Sequence, residues 1–121
     1  MEIARQVQAR LFPQVLPRTG TFECAATCVP ALHVGGDYDV VELDQHRLGI
    51  VIGDVAGKGI PAALLMANVQ AGLRSGSSRA LHDVSGLLQS VNRSFFVNSL
   101  DASYTTLFYG VYDDETGRLT M

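Results

Sequence analysis

Cysteine, charge and long apolar runs are all scarce in this chain, and each scarcity closes off a class of protein. Only 2 of its 121 residues are cysteine, too few for a disulfide framework. Cys24 and Cys28 stand four apart within Thr21–Val29, a stretch that reads as a strand. Four residues of strand span about 13 Å, beyond the reach of a disulfide. With His33 they offer at most a partial zinc set, without a tight Cys-x2-Cys pair, and they read better as small buried hydrophobes. Charged residues make up 17% and the net charge is −3, which excludes the basic face of a nucleic-acid binder. At 47% hydrophobic the chain is also too apolar for a disordered tail. No apolar run reaches the roughly 18 residues of a membrane span. The start Met1-Glu2-Ile3-Ala4-Arg5 lacks the basic-then-apolar order of a secretory signal. A cytoplasmic protein without membrane contact from this segment is expected.

Two familiar catalytic signatures are missing as well. Gly57-Lys58-Gly59 precedes a helix as a phosphate loop does, but a Walker A loop needs glycine where Ile52 stands and serine or threonine where Gly59 stands. Lys58 is then either a solvated loop charge or an attractor of an anionic substrate. His33, His46 and His82 fall in separate loops, and no serine sits on a Gly-x-Ser-x-Gly turn, which argues against a hydrolase triad. His33 is near enough to Gly35-Gly36-Asp37 to shuttle protons, although a lone loop histidine is more often a bystander.

What is present is the patterning of one compact domain. Ile3, Val7 and Leu11 recur every four residues among polar neighbours, predicting an amphipathic helix over 1–12 that stops at Pro13. Its narrow stripe fits packing on its own domain, pairing with a second copy, or continuing an upstream coiled coil. Residues 1–17 are taken as this linker helix and its loop, and 18–121 as the domain proper. Strands are expected at about 21–29, 38–44 and 47–53, the last two joined by Asp44-Gln45-His46 in an antiparallel hairpin. From Pro61 to Arg74 apolar residues occur nearly all round, which predicts a buried helix ended by Ser75-Gly76-Ser77-Ser78. Asp83 caps a second helix, with Val84, Leu87, Leu88, Val91 and Phe95 facing a sheet. Tyr104–Tyr112 reads as a strand, Asp113–Gly117 as a turn and Arg118–Met121 as a returning strand. A hairpin interrupted there suggests a fragment boundary at Met121.

The residues with chemical promise are two aspartates beside glycines, Gly35-Gly36-Asp37 and Asp54-Val55-Ala56-Gly57. Asp37 enters one strand of the hairpin and Asp54 leaves the next, so antiparallel pairing brings them to the same end. Carboxylates and a backbone carbonyl such as that of Val55 suit Mg²⁺ or Mn²⁺. Spacing alone leaves open whether the two aspartates bind metal or only cap turns.

The order of motifs goes further. Glu2–Gln8 leading to Leu11-Phe12-Pro13, then Pro30-Ala31, Val34-Gly35-Gly36-Asp37-Tyr38-Asp39, Gly53–Met66 and Tyr104–Gly110 with Asp113–Leu119 closely resemble the SpoIIE/RsbU-like branch of the PPM metal-dependent serine/threonine protein phosphatases. The resemblance implies an α+β fold, an antiparallel β-sandwich flanked by helices, here the N-terminal part of the domain and truncated at its C-terminus. It implies a two-metal Mn²⁺ or Mg²⁺ centre in which Asp37 binds one metal, Asp54 bridges both and the Val55 carbonyl completes the first. Asp37 and Asp54 are then catalytic through a metal-bound water that attacks a phosphoserine or phosphothreonine. The implied partner is a phosphorylated regulatory protein, typically an anti-sigma-factor antagonist. If the helix at 1–12 extends upstream, its narrow stripe predicts that it joins a sensory or receiver domain and forms a homodimer interface.

This chain departs from the family twice. The family places two aromatic residues between the aspartates of the Gly-Gly-Asp motif, where here Tyr38 alone separates Asp37 from Asp39. One residue fewer inverts strand parity, putting Asp37 and Asp39 on one face unless a bulge intervenes, and making Asp39 an alternative ligand. The family's Asn-Ala-Gly-His, Thr-Asp-Gly and closing Asp-Asp segments also have no counterpart before Met121. The expectation is a chain carrying part of the active site; the alternative is a catalytically inactive interaction or dimerisation module of the same fold.

Overall fold

A computed structural model describes residues 2–11, 13, 16–27, 36–56, 59–99 and 103–121. Its elements are α1 (Glu2–Leu11), β1 (Asp37–Glu42), β2 (Arg47–Val55), α2 (Gly59–Ser75), a 3₁₀ helix (Ser77–Leu81), α3 (Val84–Asn98), β3 (Thr105–Asp113) and β4 (Arg118–Thr120). The four strands form one antiparallel sheet in the order β1-β2-β3-β4.

The hairpin predicted around Asp44 is present, and its side chain explains why. The Asp44 carboxylate accepts the backbone N–H groups of His46 and Arg47 at 2.9 and 2.8 Å, while its other oxygen takes Arg47 Nη2 at 2.7 Å. These bonds hold the carboxyl below its ordinary pKa, led by the Arg47 side chain. At the β3–β4 turn Gly117 has φ +70°, a left-handed conformation that glycine adopts without steric cost. β4 pairs only with Val111, Tyr112 and Asp113 of β3, so among the described residues no strand lies beside the outer edge of Thr105–Gly110.

Helices α2 and α3 cover one face of the sheet. Val51, Val55 and Tyr109 from the strands meet Met66, Val69 and Leu73 of α2 and Leu87, Val91 and Phe95 of α3 in a single core. The predicted Asp83 cap is observed, its carboxylate accepting the Gly86 N–H at 2.9 Å. The expectation that α2 is buried nearly all round needs correcting. Its buried stripe is Met66, Val69, Gln70 and Leu73, whereas Leu64 is 66% exposed, because one sheet face and α3 cover only one side of it.

A strand at 21–29 is not observed. Residues 21–27 form no ladder, and residues 28 and 29 lie outside the described ones. Phe22 and Cys24 are half-buried between exposed neighbours. The segment is held by side chains instead. Asp114 accepts from the Thr21 backbone N–H at 2.9 Å and the Thr19 hydroxyl at 2.7 Å, and Phe22 lies 4.8 Å from Tyr112, ring to ring. Cys24 is a free thiol and only half-buried, so the reading of it as a core hydrophobe fails; Cys28 lies outside the described residues.

The first helix forms as predicted, and its apolar stripe faces outward, with Ile3, Val7 and Leu11 at 77, 55 and 40% exposure. It meets α2 through a polar contact, Gln70 Nε2 donating to the Leu11 carbonyl at 2.6 Å, which satisfies one of the carbonyls that a helix end leaves open. No helix among the described residues is long and apolar enough to cross a membrane. The second sheet of the expected sandwich is not among the described residues.

Candidate metal and active site

The β1–β2 register decides the geometry of the aspartates. Asp37 pairs with Gly53, Tyr38 with Ile52 and Asp39 with Val51, without a bulge. Paired residues share a face and neighbours alternate, so Asp37 and Asp39 project with Gly53 and Val51 toward the helices. Asp54 projects with Ile52 to the other side. The hairpin does bring Asp37 and Asp54 to one end of the sheet, but on opposite faces.

On the helix face the acids are buried. Asp39 is 3% exposed and gripped by the Arg74 guanidinium, Nε to Oδ2 at 2.6 Å and Nη2 to Oδ1 at 2.5 Å, with Gln70 Nε2 at 3.5 Å. This two-point fork is the strong form of a carboxylate contact. It engages both oxygens of Asp39 in this arrangement. Asp37 is 9% exposed and, among the described residues, makes no ion pair; its Oδ1 accepts the Tyr38 backbone N–H at 2.8 Å. Burial raises its pKa from 3.8 to about 6, against the Tyr38 hydrogen bond and with a further push from Asp39. A cavity of about 10 Å³ lies among Asp37, Asp39, Gln70 and Tyr109, room for about one water. Burial, and then the charge of Asp39, raise the Tyr109 phenol above its ordinary value.

Asp54 lies in a different environment. Its side chain is exposed at the exit of β2, over Gly36, where a Cβ would approach its Oδ1 to 3.4 Å and the Gly53 carbonyl to 3.0 Å. Glycine at 36 therefore keeps this corner open. The Thr106 hydroxyl donates to the Asp54 carbonyl at 3.4 Å, and the Ala56 N–H to that of Tyr104 at 2.7 Å, which fixes the strand end beside the Val55 carbonyl. A cleft of about 600 Å³, walled by Phe22, Cys24, Ile50, Ile52 and Asp54 and bordered by Asp37 at the start of β1, runs along this face. Among the described residues no three His, Cys, Asp or Glu side chains converge.

His33, Gly35, Gly57 and Lys58 lie outside the described residues. His46 sits in the β1–β2 turn and contacts Glu115 at 2.9 Å, at the sheet end away from Asp54. Sequence reasoning missed Gln70 and Arg74. Their signal was available, since Met66, Gln70 and Arg74 are spaced by four and so share one helix face, placing two polar side chains on the buried stripe.

Comparison with known proteins accords with the order of motifs. The family described as Stage II sporulation protein E (SpoIIE) matches residues 44–121. The phosphoserine phosphatase RsbU of Bacillus subtilis is 33% identical over 120 residues, covering 99% of this chain and 36% of the relative. Protein IcfG of Synechocystis is 31% identical over 147 aligned residues, covering 99% of this chain and 23% of the relative. The chain thus spans about a third or less of the length of these two relatives.

Proposed function

The chain belongs to the SpoIIE family, and from that premise we propose that it is the N-terminal part of a metal-dependent protein phosphatase domain. The domain acts on phosphoserine or phosphothreonine of a regulatory protein, such as an anti-sigma-factor antagonist. The observation that carries the reading is Asp54, an exposed carboxylate at a glycine-lined strand exit inside the segment that matches the family. Asp54, on the open side, and the Val55 carbonyl at the same strand end would supply part of a Mn²⁺ or Mg²⁺ site, and Asp37, on the other face, does not join them. Such metals, when bound, polarise phosphoryl oxygens and lower the pKa of water. The remaining ligands, and the second sheet of a sandwich over the apolar open face, would come from outside residues 1–121.

The test compares residues 1–121 with a longer polypeptide of the same protein, each given a phosphoserine protein and MnCl₂. Phosphate release by the longer chain alone, abolished by Asp54→Asn, is expected. Steady hydrolysis by residues 1–121 would overturn the partial-site reading, and none from either chain would overturn the phosphatase reading.

A second reading, a catalytically inactive interaction module, is favoured by the orientation of Asp37 toward the helices. In either reading we assign residues 1–17 to a linker from an upstream sensory or receiver domain. The outward stripe Ile3, Val7 and Leu11 supports pairing with a second copy. Sedimentation of a chain extended upstream should show a dimer, and a strict monomer would count against it.

A further inference from the structure

We infer that the spacing Asp37-Tyr38-Asp39 stows Asp37 on the helix face, leaving Asp54 as the one of these two aspartates, Asp37 and Asp54, that is open to a divalent cation, and that one added residue would bring Asp37 into the site. The inference rests on the metal reading above and concerns which residues meet the metal.

Three observations carry it. Asp39 is fixed by Arg74 at 2.6 and 2.5 Å, so β1 is anchored with that carboxylate inward. The pairing from Glu42↔Leu48 to Asp37↔Gly53 runs without a bulge, so parity carries Asp37 inward too. Inside, Asp37 borders a space of about 10 Å³ shared with Asp39, Gln70 and Tyr109. Asp54 stands on the other face, over Gly36.

Parity also specifies the repair. An alanine added between Asp37 and Tyr38 leaves everything from Tyr38 onward in place, including the Asp39–Arg74 pair and the Tyr38 hydroxyl bond to the Ala26 carbonyl at 3.3 Å. The alanine takes the inward position opposite Gly53, whose missing Cβ already makes room for Met66 and Leu107. Asp37 moves back one place and stands directly opposite Asp54 on the open face. Side chains so paired have Cβ atoms about 5 Å apart, close enough for both carboxylates to hold one cation.

Calorimetric titration of residues 1–121 with MnCl₂ tests the proposal. In the native spacing, Asp54→Asn should abolish binding and Asp37→Asn should leave it unchanged. The added alanine should tighten binding by more than about tenfold, and Asp37→Asn in that longer chain should remove the gain. Loss of binding on Asp37→Asn in the native spacing would overturn the inference, as would an alanine-inserted chain that folds by circular dichroism without tighter binding. A labelling measurement keeps the test independent of metal and of the insertion's folding. In a chain with Cys24 and Cys28 replaced by serine, Asp54→Cys should react rapidly with a charged maleimide and Asp37→Cys slowly. Equal, rapid labelling would overturn the placement of Asp37. Protected Asp37→Cys with no Mn²⁺ binding by any chain would overturn Asp54 as a cation site within residues 1–121 and leave the placement of Asp37 standing.

Discussion

The two faces of the sheet carry the same kind of residue to different ends. On the helix face, Asp37 and Asp39 are buried among apolar side chains, one bound to Arg74 and the other made more basic by desolvation. On the open face, Asp54 stands in water beside glycine. A carboxylate inside must be paired or protonated, because burial disfavours its charge; one outside is free to meet a cation. Chemistry therefore follows the face a carboxylate occupies, and one residue of spacing chooses the face.

That contrast can be broken most forcefully at the buried pair. Arg74→Ala leaves Asp39 inside without its partner and should cost about 3 kcal/mol, measured as a fall in the urea midpoint; a change within error would mean that Asp39 finds water. The core contrast is nearly as large. Met66→Ala, on the helix face, should cost about 3 kcal/mol, while Ile52→Ala, 60% exposed on the open face, should cost under about 1 kcal/mol. Comparable losses would show that the open face is covered in solution.

Acidity sharpens the comparison further. The folded-state pKa of Asp37 lies near 6, above its ordinary 3.8, so the folded chain holds this proton more tightly than the unfolded one. The native chain should then lose stability as pH rises from about 4 through 6. Asp37→Asn should be the more stable protein above pH 6 and show no advantage at pH 4, read from melting temperatures across that range. A flat difference would place the carboxyl in water. The smallest effect is expected of Asp83→Ala, which removes an exposed cap and should lower the urea midpoint slightly while leaving both faces of the sheet intact.

Much of this arrangement was legible in the sequence because it rests on periodicity and turn chemistry. The β1–β2 hairpin follows from Asp44-Gln45-His46, α3 from Asp83 and its i, i+4 stripe, and the last hairpin from Asp113–Gly117. The shared face of Asp37 and Asp39 was also readable, since parity requires it wherever no bulge intervenes. The partner of Asp39 was harder to see. Arg74 lies far along the chain, and pairing across such a separation depends on how α2 crosses the sheet, which α2's own pattern does not contain. The strand expected at 21–29 misled for a related reason. Phe22 is covered by Tyr112 rather than by membership of a strand. Exposure of Leu64 likewise depends on what neighbours α2.

The uneven pairing of β3 has a consequence for how the molecule behaves in company. Nine register pairs join it to β2, yet β4 covers only its last three residues. From Thr105 to Gly110 the outer backbone is a ready-made template for another extended chain. Its amide protons should exchange with deuterium faster than those of β2, which is flanked on both sides. At high concentration the strip is the place where association into ribbons would begin, and a lysine substituted for the exposed Thr106 is the economical way to keep the protein dispersed.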